Sequence, residues 1–336
     1  MKLFGKDLDN SVVVVAEIGV NHEGNPDVAA QLIDLIAESG IDAVKLQTYT
    51  PERYASASDP ERLKRVSRFS LDTLAFRRLV AHADRRGLPL FSTALTEDVV
   101  PLLAELCPAI KIASGDLTFE PSIRAATATR KPVIISTGNA TIEEIDRAIG
   151  WCREEIGETM LEDHLVLMHC VSAYPTPIDQ ANVLSVPYLK ERYGLTTGYS
   201  NHVVEPEAVL AAVALGAQVV EIHVTDRKAG REFRDHAMSF EPAEVYALVQ
   251  SVRRVRASLG SMGKVVQECE RPLREIIRKG LVAARSLAAG IVLTQDHVMY
   301  ARPATEISAG ELPGILGKTL VRNLERGELI SRRDIQ

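Results

Sequence analysis

The 336-residue sequence holds only four cysteines, Cys107, Cys152, Cys170 and Cys269, and none of them pair at a CxxC spacing. No disulfide framework is legible, which points to a reducing, cytoplasmic setting. Nowhere does an apolar run approach the roughly 20 residues that span a bilayer, so no membrane partner is expected. The opening MKLFGKDLDN has neither an apolar h-region nor a small-residue cleavage site, so no signal peptide is expected. Long basic runs are missing and the formal net charge is −6, which argues against nucleic acid as the main partner. Anionic small substrates stay open, because local charge can oppose net charge. No Gly-rich dinucleotide or Walker loop follows any apolar run; the nearest stretch, STGNATIEE, lacks the GxGxxG spacing.

What is present is ample core material, 46% hydrophobic with 25% charged residues. Eight short apolar, β-rich runs recur: 12–20, 43–48, 89–94, 109–114, 132–138, 165–171, 195–200 and 219–225. They are apolar on both faces, as parallel strands covered by helices should be. Amphipathic stretches separate them. In residues 25–40, Val28, Leu32, Leu35 and Ile36 fall on one predicted helix face, with Pro26 in the first turn and Gly40 at the end. Residues 141–155 open with Thr141 and Glu144 at capping-box spacing, and residues 205–217 read as a helix ending at Gly216. Eight β-then-α units point to an α/β (β/α)8 TIM barrel over residues 1–262. An open doubly wound sheet is the alternative, but it requires no fixed count of eight. After Gly260 the texture changes. A polar linker, 263–279, leads to a small β-rich domain, 280–336, with Gly turns at Gly290, Gly310, Gly317 and Gly327.

Active sites of such barrels lie at the C-terminal ends of the strands. Read in order, those ends offer Glu17, Asn21 and His22; Lys45, Gln47 and Thr48; Ser92 and Thr93; Lys111, Ser114 and Asp116; and Ser136 and Thr137. His169, Ser172 and Tyr174 follow, then Tyr199, Ser200, Asn201 and His202, and finally Glu221, His223 and Thr225. Two lysines among hydroxyls make a cradle for phosphate and carboxylate. His202 and His223, on adjacent strands, suit a divalent metal such as manganese. Glu17 is expected across the barrel mouth from them, as a base or a second polar ligand. Each residue also has a structural alternative: an ion-paired lysine, a hydrogen-bonded histidine, a helix-capping glutamate, a turn-closing hydroxyl. Cys170 beside His169 reads either as a thiol nucleophile or as packing. The joint placement at one end of nearly every strand favours a site.

With AEIGVNHEG, VKLQT, IKIASGD, PVIISTGNAT, HCVSAYPTP, GYSNH and VEIHVT in order, the chain resembles the sialic acid (nonulosonic acid) synthase family. LVAARSLAAGIVLT, ARPATEIS and LGKTLVRNLERGELI resemble that family's C-terminal antifreeze-like SAF domain, a β-clip fold. The resemblance implies condensation of phosphoenolpyruvate with an open-chain amino-sugar aldehyde, usually a relative of N-acetylmannosamine. It implies a divalent metal on His202 and His223, Mn²⁺ first, with Mg²⁺ or Co²⁺ as alternatives. Phosphoenolpyruvate would meet Lys45, Thr93, Lys111, Ser114, Ser136, Ser172 and Ser200. Glu17 would be the base, with Asp116 as a second carboxylate; Tyr174 and Asp235 would meet the sugar. In a domain-swapped homodimer, Arg302 would reach the partner subunit's site.

Departures cluster on the sugar side. Asp116 stands where many relatives carry Glu, Ser172 replaces an Asn found in some, and Asn139 occupies a common Met position. The loop 226–239 reads DRKAGREFRDHAMS, without the Gly-Pro-Asp turn frequent in relatives. No match appears after the second strand for a sugar-binding Asn. Arg231 or Arg234 would therefore face an acidic or phosphorylated acceptor, or else pair with Asp226, Glu232 or Asp235 at the surface. The rival readings are the same chemistry on a phosphorylated or non-acylated sugar, and a non-catalytic barrel/SAF binding protein.

Overall fold

The computed structural model describes all 336 residues, in two compact units, Met1–Gly260 and Ser261–Gln336. In the first unit eight parallel strands close into a barrel: β1 (Val13–Gly19), β2 (Ala43–Thr48), β3 (Leu90–Ala94), β4 (Ile110–Ile112), β5 (Val133–Ser136), β6 (Leu165–His169), β7 (Thr196–Asn201) and β8 (Val219–His223). All eight runs identified in the sequence are strands, and β8 pairs with β1 to close the ring. Helices cover the outside: α1 (Pro26–Ile36), α2 (Thr73–Arg85), α3 (Val100–Leu106), α4 (Glu120–Ala128), α5 (Ile142–Ile156), α6 (Ser185–Tyr193), α7 (Glu207–Ala214) and α8 (Pro242–Ser258). Strand residues such as Val13, Val44, Ile110 and Val219 are fully buried because one face meets the barrel interior and the other meets helices. A short hairpin, Lys2–Leu3 with Lys6–Asp7, precedes β1. Its Phe4 ring lies 5.0 Å from the Phe91 ring of β3, near that strand's N-terminal end and away from the polar strand ends.

The local signals act as expected with one shift of face. Thr141 and Glu144 form the capping box of α5. In α1 the buried residues are Ala29, Leu32, Ile33 and Ile36, whereas Leu35 is 49% exposed. The inward stripe is therefore rotated from the expected one, because Ala29 and Ile33 allow the closer approach of helix to sheet. Barrel closure also constrains β7. A Cβ on Gly198 would stand 2.4 Å from the backbone oxygen of Val219. Gly198→Ala is expected to cost about 1–3 kcal/mol by forcing β7 off β8, read as a lower urea midpoint; an unchanged midpoint would show that the strand pair accommodates a methyl.

The second unit has two four-residue antiparallel strands, Gly280–Ala283 and Val298–Ala301, extended by isolated bridges such as Val282 with Leu329 and Leu287 with Leu324. Its own core contains Leu281, Leu293, Ile307, Leu320, Leu324 and Ile330. The expected linker 263–279 carries a 3-10 turn, Glu268–Leu273, and a short helix, Arg274–Ile277. No helix of the protein is long and apolar enough to cross a membrane.

Candidate active site

The polar strand ends open into one cavity of about 1150 Å³ within the first unit. Its wall includes the residues to which the resemblance assigns a role, Arg302 apart: Glu17, Asp116, the phosphate-cradle residues, Tyr174, Asp235, His202 and His223; the strand-end residues Asn21, His22, Thr48, Ser92, Thr137, His169, Tyr199, Asn201 and Thr225 stay outside it. The strand period places them there. Residues i and i+2 of one strand share a face, so Lys45 with Gln47, and Glu221 with His223, project together. A register shift between Glu17 and Gly19, with Gly19 at φ 56°, marks a bulge where β1 turns from wall to site.

On the cavity floor, two lysines and two carboxylates are almost fully buried. Glu221 holds both ammoniums: Lys45 Nζ is 3.1 Å from its Oε1 and Lys111 Nζ is 3.0 Å from its Oε2. Ser200 Oγ donates to Glu221 Oε1 at 3.1 Å. Lys45 also donates to Thr93 Oγ1 at 3.1 Å and lies 3.4 Å from Glu17 Oε2, a contact close enough for ion pairing but not aligned as a hydrogen bond. Gln47 donates to Glu17 Oε1 at 2.9 Å. Burial raises the Glu221 carboxyl, but Lys111 and Lys45 outweigh it and hold Glu221 well below the usual carboxylate range. Burial wins at Glu17: despite Lys45 it is pushed up to about 7. Two neighbouring carboxylates thus differ in proton affinity because one is clamped by two cations and the other by one.

Glu17 does not stand across the mouth from the histidines. Closure of the barrel makes Glu17 the direct register partner of His223. The imidazole rings of His202 and His223 lie 5.5 Å apart between centroids, with the Tyr174 ring 4.1 Å from that of His202. His202 Nδ1 donates to the Val171 carbonyl at 2.6 Å, which leaves Nε2 as its lone-pair nitrogen. His223 Nδ1 is buried without a partner. Burial drives His202 down to about 4, and burial with His202 beside it holds His223 well below the ordinary imidazole range. Two neutral imidazoles, one of them with an orphaned buried nitrogen, fit a divalent cation. No third His, Cys, Asp or Glu completes a protein cage around them. The remaining positions would fall to water and substrate, as in catalytic rather than structural metal sites.

Ser114, Ser136 and Ser172 cluster on the far wall. Gly138 N–H donates to Ser114 Oγ at 3.0 Å. A Cβ on Gly138 would sit 2.5 Å from Ser172 Oγ and 2.7 Å from Cys170 Sγ, so only glycine lets the backbone line the site there. This positioning glycine was not singled out from the sequence. Ser136 Oγ is buried without a partner, a polar atom still waiting for one. Cys170 Sγ contacts Ser114 Oγ at 3.0 Å, and burial raises its thiol, which favours the packing reading over a nucleophile. The neighbouring Asn139 sits at φ 58°, a left-handed conformation that Asn tolerates better than most side chains.

Asp116, in the 3-10 turn Ser114–Asp116, has no charge partner, and burial pushes it up to about 6. Its folded pKa lies above its unfolded one, so the ionised carboxylate burdens the fold above pH 6, and the burden disappears as pH falls toward 4. Asp116→Asn is expected to be the more stable form at pH 7.5 and equal to the parent at pH 4. Urea melts at the two pH values test this; a gain equal at both would show that charge is not its cause.

The sugar side is more paired than the sequence suggested. Arg231 makes two bonds to Asp226, Nη2–Oδ2 at 2.7 Å and Nε–Oδ1 at 3.2 Å, and lies outside the cavity wall. The surface-pairing alternative holds for Arg231. Arg234 lines the cavity, bonds Asp235 at 3.0 Å and lies 4.7 Å from the Tyr174 ring centroid. Arg302 belongs to the second unit, is exposed, and donates to the Ile277 carbonyl at 2.5 Å. Several other strand-end residues are structural. Thr48 bonds Ser92, His169 bonds the Ala181 carbonyl, and Asn21 Nδ2 donates to the Val224 carbonyl.

The fold is a closed (β/α)8 barrel with a charged cavity at the C-terminal ends of its strands, followed in the chain by a small β-rich unit. The NeuB family model matches residues 32–264 and the SAF domain model matches residues 278–336. The chain belongs to the NeuB family. It is 33% identical to an N,N'-diacetyllegionaminic acid synthase of Campylobacter jejuni over 95% of this chain and 98% of that one. A pseudaminic acid synthase of the same species is 28% identical, with each chain fully covered. The crystal structure of an N-acetylneuraminic acid synthetase from Leptospira borgpetersenii superposes with a TM-score of 0.74 at 30% identity, covering 79% of this chain and 90% of that one.

Proposed function

We propose that this protein condenses phosphoenolpyruvate with an open-chain aldose to give a nonulosonic acid and inorganic phosphate. The observation that carries the reading is the buried lysine pair on Glu221 beside Glu17, His202 and His223 on one cavity floor. Lys45 and Lys111 supply fixed positive charge for a phosphate and a carboxylate, and Thr93, Ser114, Ser136, Ser172 and Ser200 supply hydroxyls. A divalent cation bound at His202 and His223, Mn²⁺ first, would supply Lewis-acid polarisation of the aldehyde. In the reaction C3 of phosphoenolpyruvate bonds to the aldehyde carbon, whose oxygen gains a proton. Water bonds to C2, the C2–O bond to phosphate breaks with one water proton leaving on the phosphate as the C2 carbonyl forms, and the other water proton balances the one taken up by the aldehyde oxygen. Glu17, pushed up to about 7, can hold or release that proton near neutrality. Tyr174 and Asp235 line the wall against which the aldose would rest. The family relationship supports the reaction class; the dimer with Arg302 donated across it is a further part of the proposal.

The test is phosphate release from phosphoenolpyruvate with Mn²⁺ across N-acetylmannosamine, mannose, their 6-phosphates and diacetamido hexoses. Release that depends on one acceptor supports condensation. Silence with every acceptor, with metal bound, would favour the non-catalytic binding protein.

A further inference from the structure

The helix Pro60–Phe69 follows β2 and is held by its N-cap, Asp59, whose carboxylate accepts the Arg62 N–H at 3.1 Å. Arg62, Arg65, Val66 and Phe69 all line the cavity. Their spacing of i, i+3, i+4 and i+7 is one helix face. Val66 and Phe69 are its buried part, and the Phe69 ring meets Phe233 edge-on at 5.2 Å, so the face is anchored across the cavity mouth. The other cations of the wall are already neutralised. Arg53 pairs with Glu97 at 2.5 Å, Arg234 with Asp235 at 3.0 Å, and the lysines with Glu221. Arg62 stacks at 5.5 Å from the Tyr54 ring centroid, and neither it nor Arg65 has a carboxylate within 4.0 Å. Three carboxylates on the wall, Asp59, Asp116 and Glu232, are also without cation partners and pair with neither guanidinium; Asp59 accepts only the Arg62 backbone N–H.

The cavity, at about 1150 Å³, lies above the range of roughly 300–1,000 Å³ usual for one small ligand. It has room for a second substrate beyond a three-carbon enol phosphate on the floor. Resting on the condensation reading, we propose that Arg62 and Arg65 bind an anionic group on the tail of the acceptor aldose, far from its aldehyde. Two guanidiniums one helical turn apart offer paired N–H forks for phosphate or carboxylate oxygens, and the Arg62 guanidinium lies over the Tyr54 ring. The shared chemistry is an oxyanion tail, from a 6-phosphate or from a uronate.

Calorimetric binding to the full-length protein separates the possibilities, using N-acetylmannosamine, its 6-phosphate and the corresponding uronate. The comparison is wild type against the exposed double variant Arg62→Gln/Arg65→Gln. The expected result is at least tenfold tighter binding of one anionic form in wild type, lost in the variant, with neutral-sugar affinity unchanged. Which anionic form gains identifies its source. Equal binding of all three by wild type, or an anion preference that survives in the variant, overturns the proposal. Binding preference without phosphate release from phosphoenolpyruvate would keep the anion site and sink the condensation reading. Release with a neutral acceptor and no anion preference would do the reverse.

Discussion

Glu221→Gln is expected to lower thermal stability by about 10 °C and to abolish the organisation of the cavity floor. The side chain keeps its shape, but Lys45 and Lys111 lose the charge that both of them contact. Breaking a buried ion pair from one side costs about 3–5 kcal/mol, because the remaining charge is left in a place where water cannot solvate it. For a domain of this size each kcal/mol moves the melting temperature by about 2–4 °C. The four-group cluster of Glu17, Glu221, Lys45 and Lys111 sums to zero when all are ionised. Glu221→Gln leaves it with one excess positive charge. Adding Lys111→Met restores the balance, so the double variant is expected to recover part of the lost stability while phosphate release stays low. Differential scanning calorimetry on the single and double variants is the measurement. A single variant melting within a degree or two of wild type would mean that the lysines are solvated, and the clamp would cease to explain the site.

His223→Ala should have the larger effect on activity and the smaller one on the apo fold. His223 Nδ1 has no partner in the protein, so truncation breaks no hydrogen bond at that atom and removes an unsatisfied buried group. That relief offsets part of the cavity left by the ring. Phosphate release is expected to fall by about 10³-fold or more, the equivalent of the several kcal/mol that a Lewis acid supplies. Wild type should melt higher with Mn²⁺ than without it, by linkage to binding, and the variant should not. His202→Ala should match it in metal response, since His202 presents Nε2 from the neighbouring strand. An Mn²⁺-induced rise in melting temperature that persists in both variants would refute the histidine pair as the metal site.

Much of this protein was legible from residue order because the determinants are local. Each apolar run needs only its own β-branched composition to become a strand, and Thr141 with Glu144 needs only helical spacing to cap α5. Because parallel barrels place all strand C-termini at one mouth, Lys45, Lys111, Ser200, His202 and His223 could be collected by position alone.

What the tertiary structure decided are the pairings. Glu221 was visible at a strand end, but its partner Lys111 lies 110 residues away, and only closure of the ring brings β8 toward β4. The same closure puts Glu17 beside His223 rather than across from it, because the first and last strands of a closed barrel are neighbours. Gly138 is one glycine among many until the side chains of Ser114, Cys170 and Ser172 converge on the place a Cβ would take. Arg231 and Arg234 drew attention by nearness in sequence to Asp235, yet each found a carboxylate, while Arg62 and Arg65 stayed unpaired on a helix whose cavity-facing side is set by Val66 and Phe69. Residue type and local period fix which groups reach the mouth; which charges cancel there depends on distances between strands, and those are set only when the barrel closes.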